Sequence, residues 1–120
     1  MVKEDFTITN KTKSTLSRVP FAKIKNVVLG KNYSLSLVFI GEKKSRELNC
    51  KYRGKNKPTN ILSFPLNKKS GEIFITPSLA KKEGLSVGFL LIHGLLHLKG
   101  IEHGSTMERA EIKLQKKFGV

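Results

Sequence analysis

The chain has 120 residues, 38% of them hydrophobic, and carries 23 Lys and Arg against 9 Asp and Glu, a formal net charge of +14. That length suits one domain with a modest core and no staples; the single cysteine, Cys50, excludes an intramolecular disulfide and a Cys-x-x-Cys metal knuckle. The positive excess points to a polyanionic partner, nucleic acid or a ribonucleoprotein, while the absence of an apolar signal region and of any run long enough to span a bilayer predicts a cytoplasmic protein with no membrane partner.

Residues 3–9 alternate weakly, with Phe6 and Ile8 on one side, and read as a short first strand at an edge. Residues 10–17 are a polar loop. Ser17 and Pro20 suit a helix start near residue 18, followed by a stripe of Phe21, Ile24, Val27 or Val28 and Lys31, with Gly30 and Asn32 at its end. Residues 34–40 begin in alternation and become continuously apolar, as in a strand moving into a buried environment. Residues 44–52 suit a helix capped by Ser45, with Leu48 and Tyr52 inward and Cys50 as a near-core thiol.

A basic loop follows at 52–60. Its composition is that of a disordered surface loop, yet Pro58 holds Lys57 extended at the entrance to a strand over 61–64. A polar turn at 67–71 and a strand over 71–76 complete a hairpin. Pro77 opens a short helix to Lys82, and Gly84 breaks it. Residues 86–99 form a longer helix, apolar nearly all round, which predicts a place in the middle of the domain. Ser105-Thr-Met-Glu108 is a capping-box pattern. The stripe after it (Met107, Ala110 or Glu111, Leu114, Phe118) is expected to pack beside that apolar helix.

All three histidines lie in residues 93–103. His93 and His97, four apart, share a helix face. Gly100 offers a stop, and His103 follows from the next turn. Three imidazoles with a fourth position left open match a catalytic zinc site rather than a closed structural one; nickel or cobalt would also suit them. The bland alternative is that they are satisfied core or cleft side chains. In the common zinc-hydrolase pattern a glutamate follows the first histidine. Here that residue is Gly94, which with the basic charge opposes a zinc peptidase.

Residues 93–103, His-Gly-Leu-Leu-His-Leu-Lys-Gly-Ile-Glu-His, resemble the histidine signature of the YbeY-type endoribonucleases, the bacterial rRNA maturation factors. Residues 52–65, Tyr-Arg-Gly-Lys-Asn-Lys-Pro-Thr-Asn-Ile-Leu-Ser-Phe-Pro, resemble the second signature of that family, and Gly71-Glu-Ile-Phe-Ile and Met107-Glu…Glu111 are similar to two further segments. The resemblance implies an α/β (α+β) fold: one domain over residues 1–120, with a small mixed four-stranded sheet and about five helices. It implies one zinc held by His93, His97 and His103, with Arg53 facing the metal cleft. It implies cleavage of single-stranded RNA in maturing the 3′ end of small-subunit rRNA and in ribosome quality control, with an rRNA precursor and the ribosome or its small subunit as partners. Glu102 and Glu72 stand where the family usually has Asp.

On this reading Arg53 holds the scissile phosphate, the alternative being a pair with a carboxylate such as Glu72. Glu102 is a second catalytic candidate, better suited to steadying a histidine than to acting as base. A hydrolytic water and the RNA 2′-hydroxyl both remain open as nucleophile. Lys51, Lys55 and Lys57, with Lys68 and Lys69, supply attraction to the RNA backbone; Asn60 is a further RNA-binding candidate. Tyr52 and Phe64 are candidate stacking rings, although Phe64 is expected in the core. The rival reading is a non-catalytic, metal-stabilised RNA-binding factor of ribosome assembly; the open fourth metal position favours the enzyme.

Overall fold

A computed structural model describes residues 6–13, 15–16, 18–102 and 104–120. In chain order these form β1 (Phe6–Asn10), α1 (Phe21–Leu29), β2 (Ser34–Phe39), α2 (Glu42–Arg53), β3 (Ile61–Asn67), β4 (Ser70–Ile75), α3 (Pro77–Lys82), α4 (Val87–Leu98) and α5 (Ser105–Phe118). The strands lie in the order β1-β2-β4-β3. β1, β2 and β4 are parallel, and β3 runs antiparallel to β4. The expected mixed four-stranded sheet with five helices is therefore what the chain forms, with β1 and β3 at its edges.

The burial of each strand follows its place. β2 is central and buries Leu35, Leu37, Val38 and Phe39, which accounts for its apolar run. β1 has one neighbour; Phe6 packs against the core, but Ile8 is 44% exposed, so the expected apolar side of this strand is only half used. β3 and β4 form the expected hairpin, turning at Lys68 and Lys69, where the Lys69 N–H donates to Asn67 Oδ1 at 2.8 Å. β3 extends beyond Phe64 through Pro65, with a register shift between Pro65 and Asn67. An edge strand tolerates a residue without an N–H there.

α4 is the axis of the core. It buries Leu90, Leu91, Ile92, Leu95 and Leu96 and packs on α1, α5, β3 and β4. Ser86 caps it, its hydroxyl accepting the Phe89 N–H at 3.0 Å. None of the helices is long and apolar enough to cross a membrane among the described residues. Gly94 sets how closely α4 lies on the sheet. A Cβ added there would stand 2.8 Å from Ile61 Cδ1, 2.9 Å from Ser63 Oγ and 3.1 Å from Ile73 Cδ1. The residue after the first histidine is thus a packing glycine pressed on β3 and β4.

Three helix starts depart from the sequence expectations. α1 begins at Phe21 with Pro20 at its N-cap, and its buried face is Phe21, Ile24, Lys25 and Val28; Val27 is exposed. Ser17 lies outside the described residues. α5 takes Gly104 as N-cap, which places Ser105 inside the helix, and no side chain caps it. The capping box is not formed; the Ser105 hydroxyl instead accepts from Arg109 Nη2 at 3.5 Å. α2 begins at Glu42, not 44, with Gly41 at the cap. Ser45 is therefore a buried residue of its second turn, not a cap. The inward face of α2 is polar, Ser45 and Asn49, whereas Tyr52 and Cys50 are exposed and Leu48 is half-buried. The reason is that this face meets the backbone of the following loop, which demands hydrogen bonds rather than apolar contact.

Candidate metal centre and cleft

One turn of α4 separates His93 and His97, and their rings meet edge to face with centroids 4.6 Å apart. Their Nε2 atoms come within 3.0 Å of each other. On its other side, His93 Nδ1 lies 2.9 Å from Oε2 of Glu111, a buried carboxylate on α5. An ionised carboxylate only accepts, so a neutral His93 ring facing it carries its proton on Nδ1 and presents its Nε2 lone pair. Glu111 thus fixes the tautomer that a metal requires, a carboxylate–histidine arrangement usual behind metal ligands. Two nitrogens on a tetrahedral zinc sit about 3.3 Å apart at usual bond lengths. The 3.0 Å separation, the converging nitrogens and the all-imidazole donor pair fit zinc. His103, the expected third ligand, lies outside the described residues; among the described ones no group of three metal-binding side chains forms.

Sequence reasoning gave the steadying carboxylate to Glu102, but the carboxylate on a histidine ring among the described residues is Glu111. Glu102 is exposed and lines a recess with His97, Gly100 and Ile101. The signal for Glu111 was present: a carboxylate four residues after Met107, on the stripe that packs on α4. Met107 and Glu111 are the two buried residues of α5.

A cleft of about 560 Å³ runs along the free edge of β3, lined by His93 and His97 from one side and Arg53 from the other, with Asn60, Ser63 and Phe64 between. Arg53 is the last residue of α2. Gly54, at φ 67°, ends the helix in a left-handed turn, its N–H donating back to Asn49 and Cys50 carbonyls. The loop that follows is held at several points. The Ser45 hydroxyl donates to the Thr59 carbonyl at 2.7 Å and accepts the Thr59 N–H at 2.9 Å. Asn49 Nδ2 donates to the Lys57 carbonyl at 2.8 Å, and Thr76 Oγ1 to the Thr59 carbonyl at 2.8 Å. Composition suggested a disordered loop; buried polar side chains from α2 and β4's end make it a fixed wall. At the start of α2, Lys82 and then Ser78 bond the Glu42 carboxylate, which holds its pKa below the ordinary value and ties α2 to α3.

The remaining predicted residues divide. Asn60 lines the histidine cleft, and its Nδ2 donates to Glu83 Oε1 at 3.0 Å. Lys55 and Lys57 line an adjoining recess of about 340 Å³ that also includes Arg53 and Asn60. Lys51 lies elsewhere, its Nζ 5.2 Å from the Tyr52 ring centroid. Glu72 accepts from Ser36 Oγ at 3.3 Å, so the alternative Arg53–Glu72 pair is not made among the described residues. Phe64 is half-buried and outside the core, contrary to expectation. Strand alternation turns Ile61 and Ser63 toward Gly94 and sends Phe64 to the opposite face, where its ring packs between Tyr52 and Phe74.

Comparison with known proteins gives a consistent result. The family model for endoribonuclease YbeY matches residues 2–118. An endoribonuclease YbeY of Ehrlichia canis is 39% identical across 72% of this chain and 68% of its own length. That of Ehrlichia chaffeensis is 33% identical across 96% and 87%. The solution structure of TM1509 from Thermotoga maritima has the same fold, with a TM-score of 0.61 at 23% identity over 95% of this chain and 89% of that one.

Proposed function

This chain belongs to the endoribonuclease YbeY family, and from that premise we propose that it is a zinc-dependent, single-strand-specific endoribonuclease that matures the 3′ end of small-subunit rRNA and serves ribosome quality control. The activity named for its relatives is cleavage of RNA, a phosphodiester hydrolase's reaction. The observation that supports this reading most is the convergence of His93 and His97, Nε2 atoms 3.0 Å apart, on the same cleft as Arg53. The basic charge of the chain suits the same substrate.

His93, His97 and His103 would hold the metal, zinc by preference, with nickel or cobalt acceptable to the same donors. When bound, the ion supplies Lewis acidity toward a phosphodiester oxygen and toward water, whose pKa falls to about 7. The chain's own residues do the rest. Glu111 accepts a hydrogen bond from His93 Nδ1–H and keeps Nε2 directed into the cleft. Arg53 presents a two-pronged donor set to the non-bridging oxygens of the scissile phosphate and offsets the charge that gathers there during reaction. Lys55 and Lys57 continue the positive wall beyond Arg53 and draw in the RNA backbone without reading bases. Lys51 adds charge at the same end of α2, and Asn60 contributes a polar wall. Glu102, next to His103 in the chain, would steady a histidine rather than act as base.

The test pairs metal analysis of freshly purified protein with cleavage of a single-stranded precursor of the small-subunit rRNA 3′ end. About one zinc per chain is expected, with cleavage abolished by a chelator and by His97→Ala. Full cleavage by His97→Ala in the presence of chelator would overturn the zinc mechanism. Bound zinc and RNA without cleavage would favour the non-catalytic assembly factor.

A further inference from the structure

Tyr52 is the most unusual exposed side chain near the cleft. It sits on the last turn of α2, immediately before Arg53, and is 56% exposed. Its ring rests on Phe64, centroids 5.2 Å apart, and Phe64 rests on Phe74 at 6.0 Å. Three aromatic rings thus form a row whose inner member lies between strands, whose middle member lines the histidine cleft, and whose outer member faces solvent. The Tyr52 ring is supported from beneath by Phe64, so a planar ligand landing on it meets a fixed surface. Lys51 Nζ lies 5.2 Å from the ring centroid, and the Arg53 guanidinium belongs to the next residue. A solvent-facing ring with the Lys51 cation in reach, and Arg53 the next residue along the chain, suits a nucleotide, a π-face for the base near positive charge for its phosphates.

We propose that Tyr52, backed by Phe64, is a base-stacking subsite for the nucleotide flanking the phosphate held at Arg53, tolerant of base identity. This rests on the RNA-cleaving reading of the cleft and deepens it. Stacking needs an unpaired base, so the subsite would also impose the preference for single strands. Tyr52 acts here as a positioning residue, holding the strand while Arg53 and the histidine side address the phosphate.

The test reads binding without requiring cleavage. The probe is a hexadeoxynucleotide in which one 2-aminopurine is the only base and the other positions are abasic, with a fully abasic hexamer as control; integrity of both is checked on a gel. Wild-type protein is expected to quench the 2-aminopurine. Tyr52→Ala should weaken binding of the one-base probe roughly 5- to 150-fold and lose the quench, while binding the abasic hexamer like wild type. Tyr52→Phe should restore both affinity and quench. Binding by wild type without quenching would overturn the proposal, as would equal loss in Tyr52→Phe, or equal loss on the abasic control, which would mean that the ring only shapes the loop. RNA cleavage with no Tyr52-dependent stacking refutes this subsite alone; stacking in a protein that cleaves no RNA refutes the enzyme reading and spares the subsite.

Discussion

Gly94→Ala tests whether the closeness of α4 to the sheet sets the site. The added methyl would stand 2.8 Å from Ile61 Cδ1 and 2.9 Å from Ser63 Oγ, against 3.4 Å for ordinary contact, so relief demands a separation of about 0.6 Å. Overpacking of this kind costs about 1–3 kcal/mol. Alanine returns about 1 kcal/mol of helix propensity relative to glycine. The net expectation is a loss between near zero and about 2 kcal/mol, read as a melting temperature lowered by up to about 8 °C at roughly 4 °C per kcal/mol. The functional effect should be larger. Ser63 lines the histidine cleft, and α4 carries His93 and His97; moving the helix off β3 separates the histidines from Arg53. A misplacement near 1 Å costs on the order of 100-fold in rate, so kcat for RNA cleavage should fall about 10-fold or more with metal still bound. Thermal unfolding, metal content and single-turnover cleavage together decide the matter. A variant that melts several degrees higher than wild type and keeps full kcat would show that the methyl finds room, and the packing account of Gly94 would be wrong.

Three further outcomes follow from the same geometry. Glu111→Gln removes the charge behind His93 and should lower zinc affinity by about 10- to 100-fold in a chelator competition, with unchanged affinity refuting the tautomer role. Arg53→Ala should keep its metal and lose about 100- to 1,000-fold in kcat, and Arg53→Lys should recover little of it because a point charge cannot replace the planar fork; full rescue by lysine would reduce Arg53 to a general cation. Ser45→Ala takes both hydrogen bonds from Thr59 and should cost about 1–3 kcal/mol, with faster amide exchange at Thr59 and a higher KM at normal zinc content; an unaltered Thr59 amide would mean that the loop is held by its other bonds.

Much of this protein can be read in its sequence because its main elements obey simple periods. β2 turns from alternating to continuous burial as its residues predict, α4 is apolar nearly all round and lies at the centre, and the hairpin turns at the polar segment. What was not legible depends on tertiary partners. On α2 a hydrophobic reading selects Leu48 and Tyr52, yet the buried face is Ser45 and Asn49, because the element covering it is a backbone loop. Phe64 looks like core in a strand list, but β3 is an edge and the opposite sheet face offers it only Tyr52 and Phe74 as ring partners. The sequence reading put a histidine-steadying carboxylate at Glu102, beside His103 in the chain; that α5 lays Glu111 2.9 Å from His93 depends on the packing of two helices, although the stripe of Met107 and Glu111 hinted at it.

Gly94 also explains why the cleft divides its work between elements. Position 94 faces Ile61, Ser63 and Ile73, not the cleft mouth, so a glutamate there would meet the sheet before it met a substrate. A helix laid this close to its strands can present imidazoles from one face but cannot supply the next residue as a base. The charged side chain lining the cleft with the two histidines among the described residues is Arg53, at the end of α2, the group proposed to meet the phosphate. The two walls are anchored independently, His93 by Glu111 of α5 and the Arg53 loop by Ser45, Asn49 and Thr76. That independence is why loss of metal binding and loss of phosphate contact should separate cleanly in variants of the two sides.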